Sequence, residues 1–258
     1  MKIAVCVKQI PDPATPYRLD PATHLLQRPE DQVLDDTDRY GIEVALQLAE
    51  ASKGSVVLVS MSPAGTLQGI RQALAMGVDE AVVVSDPALR GSDALVTARV
   101  LAAAIRRLDA DVIIAGTEST DGYSGVVPQQ VAELLDLPAL TFARKVEATG
   151  DGIRIERQTT TGYEVVEAPL PVLISVTAGA VEPRYPTFKG IMQAKGKTVE
   201  QPTVVDLGLT PDEVGLNGSG QRVVQVRAAP ARSAGTKIVD DGEAHLAIVE
   251  ALERAKVI

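Results

Sequence analysis

Several residue types are scarce in this chain, and each scarcity argues against a class of protein. The chain has no tryptophan and two phenylalanines, so it offers few rings on which single-stranded bases stack. Its net charge of −9 argues against binding to nucleic acid or anionic membranes, which need a cationic face. The single cysteine, Cys6, excludes an internal disulfide and is typical of a reducing compartment.

Long apolar runs are also missing. No run approaches the roughly 20 residues that a membrane-spanning helix needs, so membrane insertion is not expected. The first apolar run, residues 3–7, stops at Lys8 and leads into a proline-containing loop, whereas a signal peptide needs a longer apolar core and a cleavage site. We therefore interpret this run as a buried first strand and expect a cytoplasmic protein.

The sequence lacks the characteristic motifs of common nucleotide-binding enzymes. It has no GxxxxGK[ST] loop, no GxGxxG after the first apolar run, and no SGGxDS motif. Residues 122–125 form a GxxG, but Leu135 and Asp136 follow nine residues later, where a universal-stress-type ATP site needs Gly-Ser or Gly-Thr. His24 and His245 are isolated, and no nucleophile accompanies a base, so neither catalytic residues nor a metal site are expected.

Short aliphatic runs alternate with helical patterns over the first 140 residues. The runs predict strands at residues 3–7, 56–60, 81–84 and 112–115. Because each run is almost continuously apolar, these strands are expected to be parallel and covered on both faces. Apolar residues at helical spacing predict helices around Ile42, Ile70 and Val100. The alternation predicts an α/β fold with a doubly wound, Rossmann-like parallel sheet.

The pattern changes after residue 140. Residues 142–148, 153–159 and 163–168 are rich in β-formers and separated by glycine-containing turns. They predict antiparallel hairpins added to the same sheet, and residues 172–176 are expected to return to its parallel part.

The domain organisation follows from these patterns. We expect a nucleotide-binding α/β domain over residues 1–200, with the hairpin region at about 140–170. Residues 201–258 are expected to form an extended C-terminal arm that ends in a helix at about 243–256. Because the arm has few periodic apolar residues, it is expected to pack on a partner.

The sequence AGTESTDGYSGVVPQQVAELL, residues 115–135, follows the fourth predicted strand, at the edge where open α/β sheets bind ligands. Gly122 and Gly125 allow the backbone to approach oxygen atoms closely. Pro128 is typical of a first helical turn, so a helix begins near Gly125, and its free N–H groups favour an anion. An ordinary strand–helix connection explains these features equally well.

Two other features have a structural interpretation. Asp35, Asp36 and Asp38 precede the first long helix, where carboxylates cap the helix and oppose its dipole. Cys6 lies within an apolar run, which favours a buried, unreactive thiol.

Five segments occur in an order that resembles the electron transfer flavoprotein (ETF) β subunit. They are CVKQIPD (6–12), IRQALAMGVDEAV (70–82), AGTESTDGYSGVVPQQVAELLDLP (115–138), EPRYPTFKGIMQAKGK (182–197) and RSAGTK (232–237). The resemblance covers nearly the whole chain and implies an adenine nucleotide α-hydrolase-like fold and an electron-carrier subunit rather than an enzyme. It implies a heterodimer with an ETF α subunit, whose FAD takes electrons from acyl-CoA or other flavin dehydrogenases. The acceptor implied is ETF-quinone oxidoreductase or a similar protein.

The resemblance also implies a nucleotide site in this chain. Ordinary β subunits bind AMP without a redox role, whereas electron-bifurcating members hold a second FAD there. Matched residue by residue, the site falls on Cys6, Asp35, Asp36, Thr37, Asp38, Met61, Thr120, Asp121, Gly122, Tyr123, Ser124, Gly125, Val126 and Val127.

The chain departs from many family members around this site. Thr117 or Glu118 stands where many have a basic residue, Val126 where many have an acid or Gln, and Asp35-Asp36 where many have Asn-Pro. The form Thr-Glu-Ser-Thr-Asp-Gly resembles non-bifurcating proteins and favours AMP over FAD. The alternatives are a bifurcating-type β subunit and a stand-alone adenine-nucleotide-binding protein. The missing ATP motifs and the long arm count against the latter.

The basic segment at residues 183–197 contains Phe188, Ile191 and Met192 among lysines that include Lys189. By themselves these residues favour a short amphipathic helix that covers its own domain. The resemblance instead implies a recognition loop that docks dehydrogenases, with Phe188 at the anchor position where Leu is frequent.

Overall fold

The computed structural model describes residues 1–62, 67–227, 229–231, 235–240 and 242–258. It divides into two compact units, Met1–Val223 and Val224–Ile258. Residues 232–234 of the RSAGTK segment lie outside the described residues. Among the described helices, none is long and apolar enough to cross a membrane.

The first unit is built on a nine-stranded sheet with the order β11-β5-β4-β1-β6-β10-β7-β8-β9. All neighbours from β11 to β7 are parallel, whereas β8 is antiparallel to both of its neighbours, β7 and β9. The strands are β1 (Lys2–Cys6), β2 (Gln9–Pro11), β3 (Gln32–Leu34), β4 (Ser55–Ser62), β5 (Glu80–Ser85), β6 (Val112–Gly116), β7 (Ala139–Ala148), β8 (Gly152–Gln158), β9 (Tyr163–Pro169), β10 (Val172–Val176) and β11 (Val199–Glu200).

Helices cover both faces of this sheet. The helices of the first unit are α1 (Asp38–Ser52), α2 (Gln68–Ala75), α3 (Ala94–Arg106), α4 (Val127–Leu135), α5 (Phe188–Ala194) and α6 (Gly215–Gly218). The second unit contains α7 (Ala244–Arg254). Ile42 of α1 and Ile70 of α2 are buried in one core, and Val100 of α3 and Val131 of α4 in the other. The doubly wound α/β fold and the added antiparallel hairpins are thus confirmed.

The strand order reverses between β1 and β6. From β1 the chain moves outward in one direction to β4 and β5, and it then returns to place β6 on the other side of β1. The crevice at the carboxyl ends of β1 and β6 is therefore the topological switch point, where sheets of this kind bind ligands.

Two strand pairings have no clear signal in the sequence. The short strands β2 and β3 form a separate antiparallel hairpin, although proline-containing sequence surrounds β2. The two-residue strand β11 extends the main sheet beyond β5. Both strands are too short to show a hydrophobic period, so only their tertiary pairing defines them.

The compact unit extends further than the boundary expected at residue 200. Val204 and Val214 are buried in the core around α3, and the Gly215 N–H donates to Ser92 Oγ at 3.1 Å. Only isolated apolar residues anchor this segment to the core. Its sequence therefore has no hydrophobic period, which is why it was predicted to be an extended arm. The second unit, Val224–Ile258, contains α7, where Leu246, Val249 and Leu252 are exposed.

Candidate functional site

The glycine-containing loop after β6 leads directly into α4. Gly125 has φ +63°, a left-handed conformation that favours glycine, and Pro128 lies in the first turn of the helix. The loop places consecutive backbone N–H groups at the start of α4, which is the positive end of the helix. Among the described residues, no hydrogen-bond acceptor contacts the N–H groups of Ser124, Gly125, Val126 or Val127. Free N–H groups at the start of a helix are groups to which an anion can bind.

A charged cluster holds this loop against the switch point. Asp121, whose side chain is fully buried, accepts hydrogen bonds from Lys8 Nζ at 2.5 Å and from Arg28 Nη2 at 2.7 Å. Lys8 Nζ also donates to Ser119 Oγ at 3.1 Å. Burial by itself raises the pKa of Asp121, but the charges and hydrogen bonds of Lys8 and Arg28 outweigh it and hold the pKa below its usual value.

This cluster predicts a pH-dependent loss of stability in Asp121→Asn. Because the folded-state pKa of Asp121 is lowered, its ionised form stabilises the protein at neutral pH, and this stabilisation is lost as the pH falls through the folded-state pKa. We expect Asp121→Asn to lower the melting temperature at neutral pH, with a difference from wild type that narrows in acid. Thermal melts across the acidic range measure this. A difference in melting temperature that stays constant with pH would contradict this prediction. The control is Asp36→Asn, because the Asp36 side chain is 82% exposed.

Asp35 joins the segment before α1 to the loop after β6. It is fully buried, and its Oδ2 accepts from the Thr120 N–H at 2.7 Å and from Thr120 Oγ1 at 3.0 Å. Its Oδ1 accepts from the Thr37 N–H at 3.1 Å and from Thr37 Oγ1 at 2.8 Å. Asp35 therefore connects two loops that are distant in sequence.

The interpretation of Asp35, Asp36 and Asp38 as helix caps holds in part: Asp38 lies in the first turn of α1, where a carboxylate opposes the helix dipole, and Asp35 accepts from the Thr37 N–H. Thr37 is the residue before the first helical position of α1, and no side-chain hydrogen bond caps the helix there. Asp36 pairs with Arg39 at 2.9 Å and is turned to solvent. The carboxyl groups of Asp35 and Asp38 instead bind N–H groups outside the helix, because tertiary neighbours compete for them.

Asp38 and Cys6 form the floor of the crevice. Asp38 is 6% exposed, and its Oδ2 accepts from the Lys8 backbone N–H at 2.7 Å. Burial, followed by the nearby carboxylate of Asp35, raises the pKa of Asp38 well above its usual range. Burial and the charge of Asp38 raise the pKa of the Cys6 thiol to about 12, which favours the unreactive thiol expected from the sequence.

The remaining residues of the predicted site lie at different depths. Gly122, Tyr123, Ser124 and Val126 are exposed on the loop, and Val127 is half-buried at the start of α4. Met61 lies near the end of β4 and packs, partly buried, in the same core as Cys6. The structure therefore brings the β1 end, the turn before α1 and the glycine-containing loop together, whereas the Asp36 side chain points away.

Sequence reasoning missed three residues of the charged cluster: Lys8, Arg28 and Ser119. Lys8 could have been found from the sequence, because it is a cation near the end of the first buried strand. That position lies at the ligand-binding edge of the sheet. Nothing in the sequence indicated Arg28, because it lies in a long loop, 93 residues from Asp121.

The predicted docking residues form a second surface, on and beside α5. Phe188 is 81% exposed, Met192 is 56% exposed and Ile191 is 48% exposed, all on or beside α5. Lys189 is also exposed. The expectation that this helix covers its own domain therefore fails for its large apolar residues.

Helix α5 is fixed to α2 by reciprocal hydrogen bonds. Arg71 Nη1 of α2 donates to the carbonyl groups of Ala194 at 2.7 Å and Lys197 at 2.8 Å. In return, Lys197 Nζ donates to the carbonyl groups of Leu74 and Val78 at the end of α2. Each cation satisfies carbonyl groups beyond or at the end of the other helix, so α5 is held against α2 while its large apolar residues are exposed.

Comparison with known proteins places these features in one family. The family model described as "Electron transfer flavoprotein domain" matches residues 23–207. The chain is 41% identical over 263 aligned residues to the electron transfer flavoprotein subunit beta of Mycobacterium tuberculosis, covering 99% of each chain. It is 35% identical over 271 aligned residues to the subunit beta of Megasphaera elsdenii, covering 100% of each. It is also 34% identical over 245 aligned residues to the caffeyl-CoA reductase-Etf complex subunit CarD of Acetobacterium woodii, covering 92% of each. The chain therefore belongs to the electron transfer flavoprotein β-subunit family.

Proposed function

We propose that this chain is the β subunit of a heterodimeric electron transfer flavoprotein and that it binds AMP as a structural component. The redox FAD then belongs to the α subunit, and this chain is an electron-carrier subunit without a catalytic reaction of its own. The observation that supports the AMP site is the set of four free N–H groups at residues 124–127, beside the switch point. These N–H groups suffice for the oxygen atoms of one phosphate.

The charges around the crevice support one orientation of the bound AMP, with its phosphate at the start of α4. The phosphate belongs at the start of α4, because the free N–H groups are there, whereas the floor of the crevice carries the buried carboxyl groups of Asp35 and Asp38. The neutral base and ribose then extend over that floor towards Cys6. Lys8 and Arg28 neutralise Asp121 and so lower the negative charge that the phosphate meets.

The first test is the identity of the nucleotide that purifies with the protein. We expect heat denaturation of the purified heterodimer to release one AMP and one FAD per heterodimer, because only the α subunit holds a flavin. Mass spectrometry of the released nucleotides, with absorbance for quantity, measures both. Two FAD and no AMP would instead support the bifurcating-type alternative. An adenine nucleotide on a chain that never associates with a flavoprotein would support the stand-alone alternative.

We further propose that the apolar surface of α5 docks the electron-donating dehydrogenase. Phe188, Ile191 and Met192 are exposed together beside Lys189, which is the composition of a protein-binding surface with an apolar centre and a charged rim. Acyl-CoA or other flavin dehydrogenases are the donors proposed, with ETF-quinone oxidoreductase or a similar protein as the acceptor.

The second unit is proposed to contact the α subunit. Leu246, Val249 and Leu252 of α7 lie on one side of the helix and are exposed within the described residues. An amphipathic helix with an uncovered apolar stripe is stabilised by packing on another polypeptide. Residues 224–258 are therefore the part of the C-terminal arm for which a partner-binding role is proposed.

A further inference from the structure

Arg184 binds two glutamates of α1 with its backbone N–H and its whole guanidinium group. The N–H and Nε donate to Glu43 Oε2 at 3.1 and 2.7 Å, and Nη2 donates to Glu43 Oε1 at 3.0 Å. Nη1 and Nη2 donate to the carboxylate of Glu50 at 2.5 and 3.3 Å. The Glu43 side chain is 5% exposed and that of Glu50 is 62% exposed. Water therefore screens the Glu50 contact far more than the Glu43 contact.

These contacts hold the segment that leads from β10 to α5. At its start Val181 packs, partly buried, against the core, and at its end Thr187 caps α5 by accepting from the Gly190 N–H at 3.0 Å. The structure describes all of residues 182–186 between them, and within that range Arg184 alone makes hydrogen bonds. Arg184 is therefore the polar attachment of this range to the domain.

Helix α5 needs such an attachment at the end that carries Phe188. The contacts of Arg71 and Lys197 hold the other end of the helix. Tyr185 is 86% exposed and Phe188 is 81% exposed, so neither side chain packs enough to fix the start of α5. The contact of Arg184 with α1 precedes both aromatic residues directly and is placed to fix it.

We propose that Arg184 is a positioning residue for docking of the electron-donating dehydrogenase: its ion pair with the buried Glu43 fixes the start of α5 and so orients Phe188. This inference rests on the proposed docking role of the α5 surface. A side chain that is already held in its bound orientation loses less conformational freedom when the partner binds. Without the ion pair, Phe188 is still present, but the backbone that carries it must be ordered during docking, and the complex is weaker.

The first experiment separates positioning from stability. Arg184→Met leaves the Glu43 carboxylate buried and unpaired, so it is expected to lower the melting temperature. The double variant Glu43→Gln/Arg184→Met contains no unpaired buried charge, so its melting temperature is expected to return towards that of the wild type. In both variants we expect the KM for the heterodimer to rise about tenfold with kcat unchanged, the effect of freeing roughly one residue of backbone. A KM that recovers together with the melting temperature would overturn the inference.

The assay uses an acyl-CoA dehydrogenase from the same organism, reduced by its acyl-CoA substrate, with the purified heterodimer as the varied acceptor. The control is Glu50→Gln, which removes the exposed half of the contact and is expected to keep the wild-type KM and melting temperature. A KM in Glu50→Gln as high as that in Arg184→Met would show that surface charge, and not the buried ion pair, governs docking. That result would also overturn the inference.

The second experiment adds Phe188→Ala to Glu43→Gln/Arg184→Met. If Arg184 acts through Phe188, loss of the ion pair has no further effect once the ring is gone, and the triple variant is expected to have the KM of Phe188→Ala. A further tenfold rise in the triple variant would overturn the inference and leave the docking surface in place. An unchanged KM in Phe188→Ala alone would overturn the proposed docking surface, and this inference with it.

Discussion

Gly125→Val is expected to remove most of the bound nucleotide and to lower the melting temperature of the protein. Gly125 has φ +63°, and a left-handed conformation costs a β-branched residue about 1–2 kcal/mol. A Cβ atom at this position would also approach Glu118 Oε2 to 3.3 Å. The chain relieves this strain by turning the backbone, which misdirects the N–H groups of residues 124–127. The measurements are the nucleotide released per chain and the thermal melt.

A matched glycine substitution separates loss of the site from general destabilisation. Gly150 lies in the turn between β7 and β8, its φ is not in the left-handed region, and a Cβ atom there would contact nothing within 4 Å. Gly150→Val is therefore expected to keep its full nucleotide content. Full nucleotide occupancy in Gly125→Val would show that the phosphate is not held at this turn and would remove the main support for the AMP site.

Phe188→Ala is expected to slow electron transfer from the partner dehydrogenase without destabilising the protein. Phe188 is 81% exposed, so its truncation removes little of the core. The loss of an aromatic anchor at the centre of an interface costs about 2 kcal/mol of binding, which corresponds to roughly a thirtyfold weaker complex. Steady-state reduction of the heterodimer, with its concentration varied, is expected to show a raised KM and an unchanged kcat.

The control for this prediction is another exposed aromatic residue away from α5. Tyr163, on the hairpin strand β9, is 53% exposed, and Tyr163→Ala is expected to leave the KM for the heterodimer unchanged. Phe188→Ala must also keep its melting temperature and nucleotide content. An unchanged KM in Phe188→Ala would place the docking surface elsewhere, and a fall of many degrees in melting temperature would identify Phe188 as a packing residue.

The main sheet was predictable because burial on both faces leaves a local pattern. Residues 56–59 of β4 and 112–115 of β6 are continuously apolar, and the helices between the strands repeat apolar residues at helical spacing. Neither pattern needs tertiary information to be recognised. Pro128 likewise indicated the start of α4. The short strands β2 and β11, and the packing of Val204 and Val214 beyond residue 200, had no periodic signal and were not predicted.

The sequence by itself determined the α/β class, the order of its elements, the family, and the glycine-containing loop as a candidate anion site. Only the tertiary structure decided how the charges of that site are paired. Asp121 meets Lys8 across 113 residues of sequence and Arg28 across 93, and Asp35 meets Thr120 across 85. Local rules predicted Asp35 and Asp38 as helix caps, but a buried carboxyl group binds whichever donors the fold brings to it. The physical reason is that hydrophobic periodicity is local to an element, whereas the solvation and hydrogen bonding of a buried charge depend on the neighbours supplied by the whole fold.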